Sequence, residues 1–418
     1  MKHVFPYKEF KPVEVPDGQL SGVYSINAAV GQKNTQQLIA EALENPIGSP
    51  HLKSRVRPGT KVLIVLDDNT RTTMTQLMLP AVIAELLGAG LGKDDITLFI
   101  ALGTHRAMTL SEMELKYTTE IVAQYKFVLP NWKQAGAYAA IGTSGDLEIR
   151  IHNELLKADF VIGIGQTIPN LIAGFGGGCK IINPGCADPG TIGRMHWLCS
   201  TVADGHLFAV RDNPVRKLID EVGIKAGLKF IVNDVPGKDD AVSAVFAGDP
   251  ILAHRKACDF AYSSCMVRIS ELADIVLADA YPSDIDFWQA LKGLNAACSA
   301  VRTGGTVILV APCLEGVCAQ HPEILSIGFK HSVSYIQNLV SIGQLDPIPA
   351  AAIWLGSRMR ERANIILVTK GVSMAETAVM GFTYASDPAS ALAQALRQHG
   401  ASAKINVLYK ASKMICKI

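Results

Sequence analysis

The sequence predicts an α/β protein of two domains built on mainly parallel sheets. Short β-branched runs alternate with longer helical patterns, the arrangement of buried parallel strands joined by covering helices. These runs fall into two sets, and each is followed at once by polar or glycine-rich residues. A length of 418 residues fits two or three domains of about 150 residues each.

The first set comprises Lys61 to Leu66, Ile96 to Ala101 and Phe160 to Ile164, continuous apolar runs of strand length. A helix is predicted from Pro250 to Ser263, where Asp249 is a good N-cap before a proline. The second set is Ile275 to Ala278, Thr306 to Ala311 and Asn364 to Thr369, with helical stretches Phe287 to Val301 and Ala389 to Arg397 between them. The boundary is placed near residues 266 to 275. It divides an N-terminal domain, 1–268, from a C-terminal domain, 269–398. The last run, Ile405 to Leu408, could complete either sheet. The tail, 399–418, is assigned to the first domain because short terminal strands often return there when termini lie close.

Hydrophobic residues make up 49% and charged residues 18%, below the usual ~25%, so large cores are expected and intrinsic disorder is excluded. Lys plus Arg number 39 against 38 for Asp plus Glu, which gives no electrostatic reason for a nucleic-acid or membrane partner. The amino-terminal stretch mixes charge and proline and lacks the apolar core of a secretory signal. Phe160 to Phe175, the most apolar stretch, is broken by Gln166, Pro169, Asn170 and glycines, too short for the ~20 residues of a spanning helix. Nine cysteines, odd in number and without a CxxC pair, are expected to be small core residues in a reducing cytoplasm.

In an open α/β sheet, functional groups gather beyond the carboxyl ends of the strands. That rule selects Asp67 to Arg71, Gly103 to Arg106, and Gln166 to Lys180. Taken singly, Asp67 or Asp68 reads more readily as a helix cap and His105 as a surface histidine. The run Gly174-Phe175-Gly176-Gly177-Gly178-Cys179-Lys180 lets backbone N–H groups approach a phosphate, although a flexible turn also explains the glycines. It is neither a P-loop nor a GxGxxG fingerprint, so ordinary ATP or NAD binding is disfavoured. His196, sixteen residues after Lys180, stands beside Trp197 without an HExxH or Cys/His cluster, so any metal must bring other ligands. Gln289 and Lys292 sit three apart on one helix face, by preference a solvated one.

Together these segments resemble the lactate racemase family, the nickel-pincer nucleotide-dependent 2-hydroxyacid racemases and epimerases. Five blocks in family order carry the resemblance: Asp68-Asn69-Thr70-Arg71, Gly103-Thr104-His105-Arg106, Pro169 to Gly185, His196, and Gln289 to Lys292. Asn213-Pro214-Val215-Arg216 and Phe246 to Pro250 with His254-Arg255 are similar but less specific.

The resemblance implies an isomerase whose active site lies in the interdomain cleft. Its cofactor would be a nickel-pincer nucleotide, a pyridinium mononucleotide with thioamide and thiocarboxylate groups, covalently tethered to Lys180. Nickel would be held by one carbon and two sulfurs of that group, with His196 as the fourth ligand. Imidazole and soft sulfur suit square-planar nickel, and a protonated lysine cannot ligate a metal. By the same resemblance, Gly176, Gly177 and Gly178 would cradle the cofactor phosphate and Asp68 would help hold the nucleotide. His105 would take the substrate hydroxyl proton while hydride leaves to the pyridinium ring. Arg71 would bind the carboxylate, and Lys292 and Gln289 would close the site. Trp354 is similar to a family tryptophan near the cofactor, and reads equally well as a core residue.

One position departs from the pattern. The second catalytic histidine of the family belongs ten residues before the lysine, where this chain has Asn170. An amide cannot accept a proton at neutral pH, though it can hydrogen-bond a hydroxyl or ketone oxygen. The expectation is a racemase or epimerase acting on a 2-hydroxy acid other than lactate, such as a larger hydroxy or sugar acid, or an asymmetric epimerase relying on His105 alone. The alternative is a non-catalytic nickel-pincer nucleotide binding or storage protein, against which the retained substrate groups argue. A plain pyridine-nucleotide oxidoreductase would lack its glycine fingerprint. The expected partners are the hydroxy acid and cofactor-biosynthesis proteins, with no nucleic acid or membrane and the oligomeric state open.

Overall fold

The computed structural model describes residues 1–26, 33–203, 205–238 and 241–418. The chain divides into two compact units, Ala28–Ser264 and Met1–Asn27 with Cys265–Ile418.

The first unit carries a six-stranded sheet in the order Val242–Gly248, Leu228–Pro236, Phe160–Gln166, Val62–Leu66, Ile96–Ile100, Lys126–Val128. All neighbours are parallel except the first pair. The central run Val62–Leu66 is buried along its whole length, as a parallel strand covered on both faces must be. Helix Thr75–Gly88 lays Met78, Leu79, Val82, Ile83 and Leu86 on Ile64, Leu66, Leu98, Ile100, Ile162 and Ile164. Each such side chain, fully buried, contributes about 1.5–3 kcal/mol.

From Val62–Leu66 the chain crosses to Ile96–Ile100 on one side, and it later returns as Phe160–Gln166 on the other. The sheet therefore has a topological switch point at this central strand, where loops diverge and open a crevice. Leu66 pairs with both Ile100 and Ile164, and the third strand runs two residues further to Gln166, so the three loops leave from one edge of the sheet.

The second unit has a six-stranded sheet that is parallel throughout: Thr383–Ala385, Asn364–Val368, Val301–Val310, Ala273–Asp279, Ile405–Leu408, Leu20–Tyr24. Helix Phe287–Ala300 connects two of these strands and begins at Asp286, whose carboxylate accepts from the Gln289 amide at 2.8 Å.

The expected strands and helices are present with ends moved by a few residues. The predicted helix from Pro250 runs Leu252–Cys265, with Asp249 capping it through the Ile251 and Leu252 amides at 2.9 Å. The terminal segments differ from expectation. Ile405–Leu408 is fully buried between Ala273–Asp279 and Leu20–Tyr24, so the tail completes the second sheet rather than the first. Residues near the amino terminus join it too. Phe5, Tyr7, Phe10, Val13 and Val15 pack into the core of Ile275, Leu277, Ile308 and Val407. Their spacing among charges and prolines has no period, so the sequence did not mark them as core. The hairpin Tyr138–Ser144 with Leu147–His152 was also not expected.

Seven of the nine cysteines are buried. Among the described residues no helix is long and apolar enough to cross a membrane.

Candidate active site

The loop after Val62–Leu66 opens with two buried aspartates of different character. Asp67 is a fastener. It accepts from the Thr73 hydroxyl, lies 3.2 Å from the Lys116 ammonium, and its backbone carbonyl accepts from Tyr117 Oη at 2.7 Å. Burial pushes its carboxyl up, against Lys116 and Thr73. Asp68 accepts from the Thr70 amide at 3.1 Å and the Thr70 hydroxyl at 2.5 Å, and its Oδ2 lies 2.5 Å from His105 Nδ1. Burial would raise it, but His105, Arg71 and Thr70 together hold its carboxyl well below the usual carboxylate range.

Neither aspartate caps the following helix. Met74 occupies that position without a side-chain cap, and its amide donates to Asp234 Oδ2 at 2.8 Å. Asp234 went unnoticed in the sequence, although it ends an apolar run much as Asp67 ends its own. Burial pushes it up to about 7.

His105 stands on the turn after Ile96–Ile100, which is tied down by Gly103 N donating to Gly185 O at 3.0 Å and His105 N to Leu102 O at 2.9 Å. With Nδ1 turned to Asp68, Nε2 is the ring nitrogen through which a proton would pass. Asp68, expected to help hold a nucleotide, is bonded to His105 in this structure.

The glycine run is shaped by packing. A Cβ at Gly177, where φ is 76°, would meet Thr167 Oγ1 at 2.5 Å and Asn233 Oδ1 at 2.7 Å. One at Gly178, where φ is 59°, would meet the His254 ring at 2.6 Å. The Gly178 amide donates to Asn233 Oδ1 at 2.8 Å and the Gly176 amide to Ile168 O at 2.7 Å. Two of the three amides expected to cradle a phosphate are therefore engaged inside the protein. The segment leads into the 3-10 turn Gly178–Ile181, which carries Lys180. No ion pair among the described residues includes the Lys180 amine. Burial, with Arg71 and Arg216 and against Asp68, brings it down to about 7.

Asn170 forms a turn of its own. Its Oδ1 accepts from the Ala173 amide at 2.9 Å and the Ile172 amide at 3.2 Å, leaving Nδ2 as the donating end. His196 lies on helix Pro189–Trp197 and turns Nδ1 to the Ile192 carbonyl at 2.9 Å. Were a metal bound there, Nε2 would be the nitrogen to ligate it. Among the described residues no three His, Cys, Asp or Glu side chains gather as a metal site, so a metal at His196 would arrive with ligands of its own.

In the other unit, Lys292 Nζ donates to the Oε1 of buried Gln289 at 2.7 Å, confirming a shared helix face but not a solvated one. Trp354 is buried on helix Pro347–Arg362, with the Arg358 guanidinium 4.6 Å from its ring centroid. Among the described residues its indole N–H has no hydrogen-bond partner, which is unusual for a core tryptophan.

Within the first unit, one strand edge thus brings together a carboxylate-bound imidazole, an arginine and a near-neutral lysine, the parts for carboxylate binding, proton transfer and amine acylation. Family models match the chain in two blocks, the lactate racemase N-terminal domain over residues 7–205 and the lactate racemase C-terminal domain over residues 269–415. The lactate racemase of Thermoanaerobacterium thermosaccharolyticum is 29% identical over 421 aligned residues, 96% of each chain. That of Lactiplantibacillus plantarum is 27% identical over 425, again 96% of each. The structure of the lactate racemase apoprotein from T. thermosaccharolyticum superposes with a TM-score of 0.85 at 26% identity, covering 98% of this chain and 97% of that one. A crystal structure of a Thermotoga maritima protein shares the fold, with a TM-score of 0.74 at 21% identity over 94% of this chain and 100% of that one. Paired domain matches, whole-length relatives and the contents of the strand-edge site agree: the chain belongs to the lactate racemase family.

Proposed function

We propose that the protein is a nickel-pincer nucleotide-dependent racemase or epimerase of a 2-hydroxy acid other than lactate. The observation that carries this is Lys180, an amine brought close to neutrality at the end of a packed glycine segment. A thioamide tether made from a thiocarboxylate would need a free amine, the C–N bond forming as the thiocarboxyl oxygen leaves as water, and an ordinary lysine at pH 7 is almost wholly protonated. The residues present fit the group. Lys180 would tether it, and His196 Nε2 would complete the coordination of its nickel. When bound, the cofactor supplies a hydride acceptor.

The chain's own residues do the rest. Arg71 binds the substrate carboxylate as a planar fork. His105 Nε2 takes the hydroxyl proton, and Asp68 stabilises the imidazolium that results. Asn170 offers Nδ2 to an oxygen of the substrate and takes no proton. The Gln289–Lys292 pair is assigned to the substrate's polar groups. His105 is then the sole proton-transferring histidine, and the two directions of turnover are unequal. Maturation requires the proteins that make the cofactor.

Asn170 also favours a second assignment, a nickel-pincer nucleotide binding or storage protein that has lost turnover. The test is the intact mass and nickel content of the chain co-produced with nickel-pincer biosynthesis proteins, beside Lys180→Ala. An adduct absent from the variant is expected. No adduct, with biosynthesis shown working on an authentic family member, sinks the proposal. Turnover on a chiral panel of hydroxy acids then separates catalyst from carrier.

A further inference from the structure

Behind the glycine segment lies a charged layer of Arg216, Asp220 and Arg255. Arg216, on helix Pro214–Lys225, is wholly buried. Its guanidinium donates from Nε to Ala173 O at 3.3 Å, from Nη1 to Gly177 O at 3.3 Å, and from Nη2 to Phe175 O. Alternate carbonyls of one segment are thereby drawn to a single fork. Of the two carbonyls between, Gly174 O accepts from the Ala209 amide at 3.1 Å and Gly176 O meets His254 Nε2 at 2.8 Å. A trans peptide is planar with its C=O and N–H opposed, so drawing the Gly176 carbonyl inward aims the Gly177 amide outward.

The carboxylate nearest this fork, Asp220, is 3.7 Å away and is shared with Arg255 at 2.6 Å. The charge of Arg216 is therefore only partly compensated where the segment enters the turn that carries Lys180. Lysine has no rigid set of donors that could span three carbonyls.

We propose that Arg216 is the positioning residue of the site, its fork fixing the backbone direction of residues 173–177 and its charge set against Gly177 O, the carbonyl that also accepts from the Lys180 backbone amide at 3.2 Å. This rests on Lys180 as the tether. The groups that act on Lys180 are Arg71 and Asp68, from the loop after Val62–Leu66, and Arg216 from its helix; both arginines oppose protonation and Asp68 favours it.

The test uses the cofactor-free full chain, an isotope-labelled acetylating reagent, and peptide mass spectrometry of Lys180 between about pH 5 and about pH 10. The native profile is expected to inflect at about 7. Arg216→Met should move the inflection up, so that a smaller fraction of the amine is free at pH 7 than in the native chain. Arg216→Gln replaces it where the methionine variant does not melt in one transition. Arg216→Lys keeps the charge and loses the fork, so its inflection should stay near the native one while amide exchange over 173–180 quickens. An unmoved inflection in a folded neutral variant overturns the proposal, as does unchanged exchange in Arg216→Lys. If the mature chain carries no adduct, the cofactor assignment fails while the Arg216 result stands. A normal adduct with an unmoved inflection fails Arg216 alone.

Discussion

The Oδ2 of Asp68 and the Nδ1 of His105 meet at 2.5 Å, joining the loops that follow two neighbouring strands. The bond fixes the imidazole tautomer and places a carboxylate where positive charge develops when His105 takes a proton. Asp68→Asn keeps the shape but not the charge. In matured protein, kcat on the preferred hydroxy acid should fall by about 10²- to 10⁴-fold with KM little changed. An unaltered kcat would remove Asp68 from proton transfer.

The same pair predicts an acid dependence of stability. The carboxyl of Asp68 is held below its unfolded value of about 4. Its contribution is thus complete above that value and is lost as pH falls through the lower folded value. The gap in denaturant midpoint between the native chain and Asp68→Asn should be widest near neutrality and close on acidification.

Lys180 carries the opposite sign of cost. Its folded amine titrates at about 7 against an unfolded value of about 10.4, so the folded state bears a charge penalty below 7 that fades as pH rises between the two. Lys180→Met should stabilise the cofactor-free chain at about pH 6 and lose that advantage by about pH 10. Equal effects at both, read from urea melts, would contradict the burial of the amine.

Asn170 gives two separable outcomes. Asn170→Ala removes the acceptor for the Ile172 and Ala173 amides and should cost about 1 kcal/mol of stability. Asn170→His supplies a proton acceptor and should bring the two directions of turnover closer together, measured by chiral chromatography from each enantiomer. Equal two-way lactate turnover by the native holoprotein would defeat the assignment of an altered, asymmetric catalyst.

Gly178→Ala should destabilise by about 1–3 kcal/mol, because a Cβ at that φ runs into the His254 ring. Thermal melts of the cofactor-free chain check this without reference to activity. A neutral substitution would mean that the segment is looser than its packing indicates.

Much of the fold was legible in the sequence because buried parallel strands are continuous apolar runs that end at polar loops. Lys61 to Leu66 needed no partner to be recognised as a strand, and the rule for strand ends then pointed to Asp68, His105 and Lys180. The residues near the amino terminus were not legible. Phe5, Tyr7 and Phe10 join a core without forming a periodic element, and a hydrophobic residue in an irregular segment has no pattern to announce it. For the same reason Ile405–Leu408 was recognised as a strand but not placed in its sheet, since strand pairing is decided by distant neighbours.

The sequence by itself determined the chemistry on offer: an imidazole, an arginine, a lysine after glycines, and an amide where relatives of this family have a second histidine. Tertiary structure alone decided what each group does with it. Asp68 became the partner of His105, the glycines make room for Thr167, Asn233 and His254, and Arg216 emerged as the fork on the carbonyls of the glycine segment. Side-chain identity is local, but hydrogen-bond partners, desolvation and electrostatic field depend on which residues far apart in the chain are folded within a few ångströms of one another.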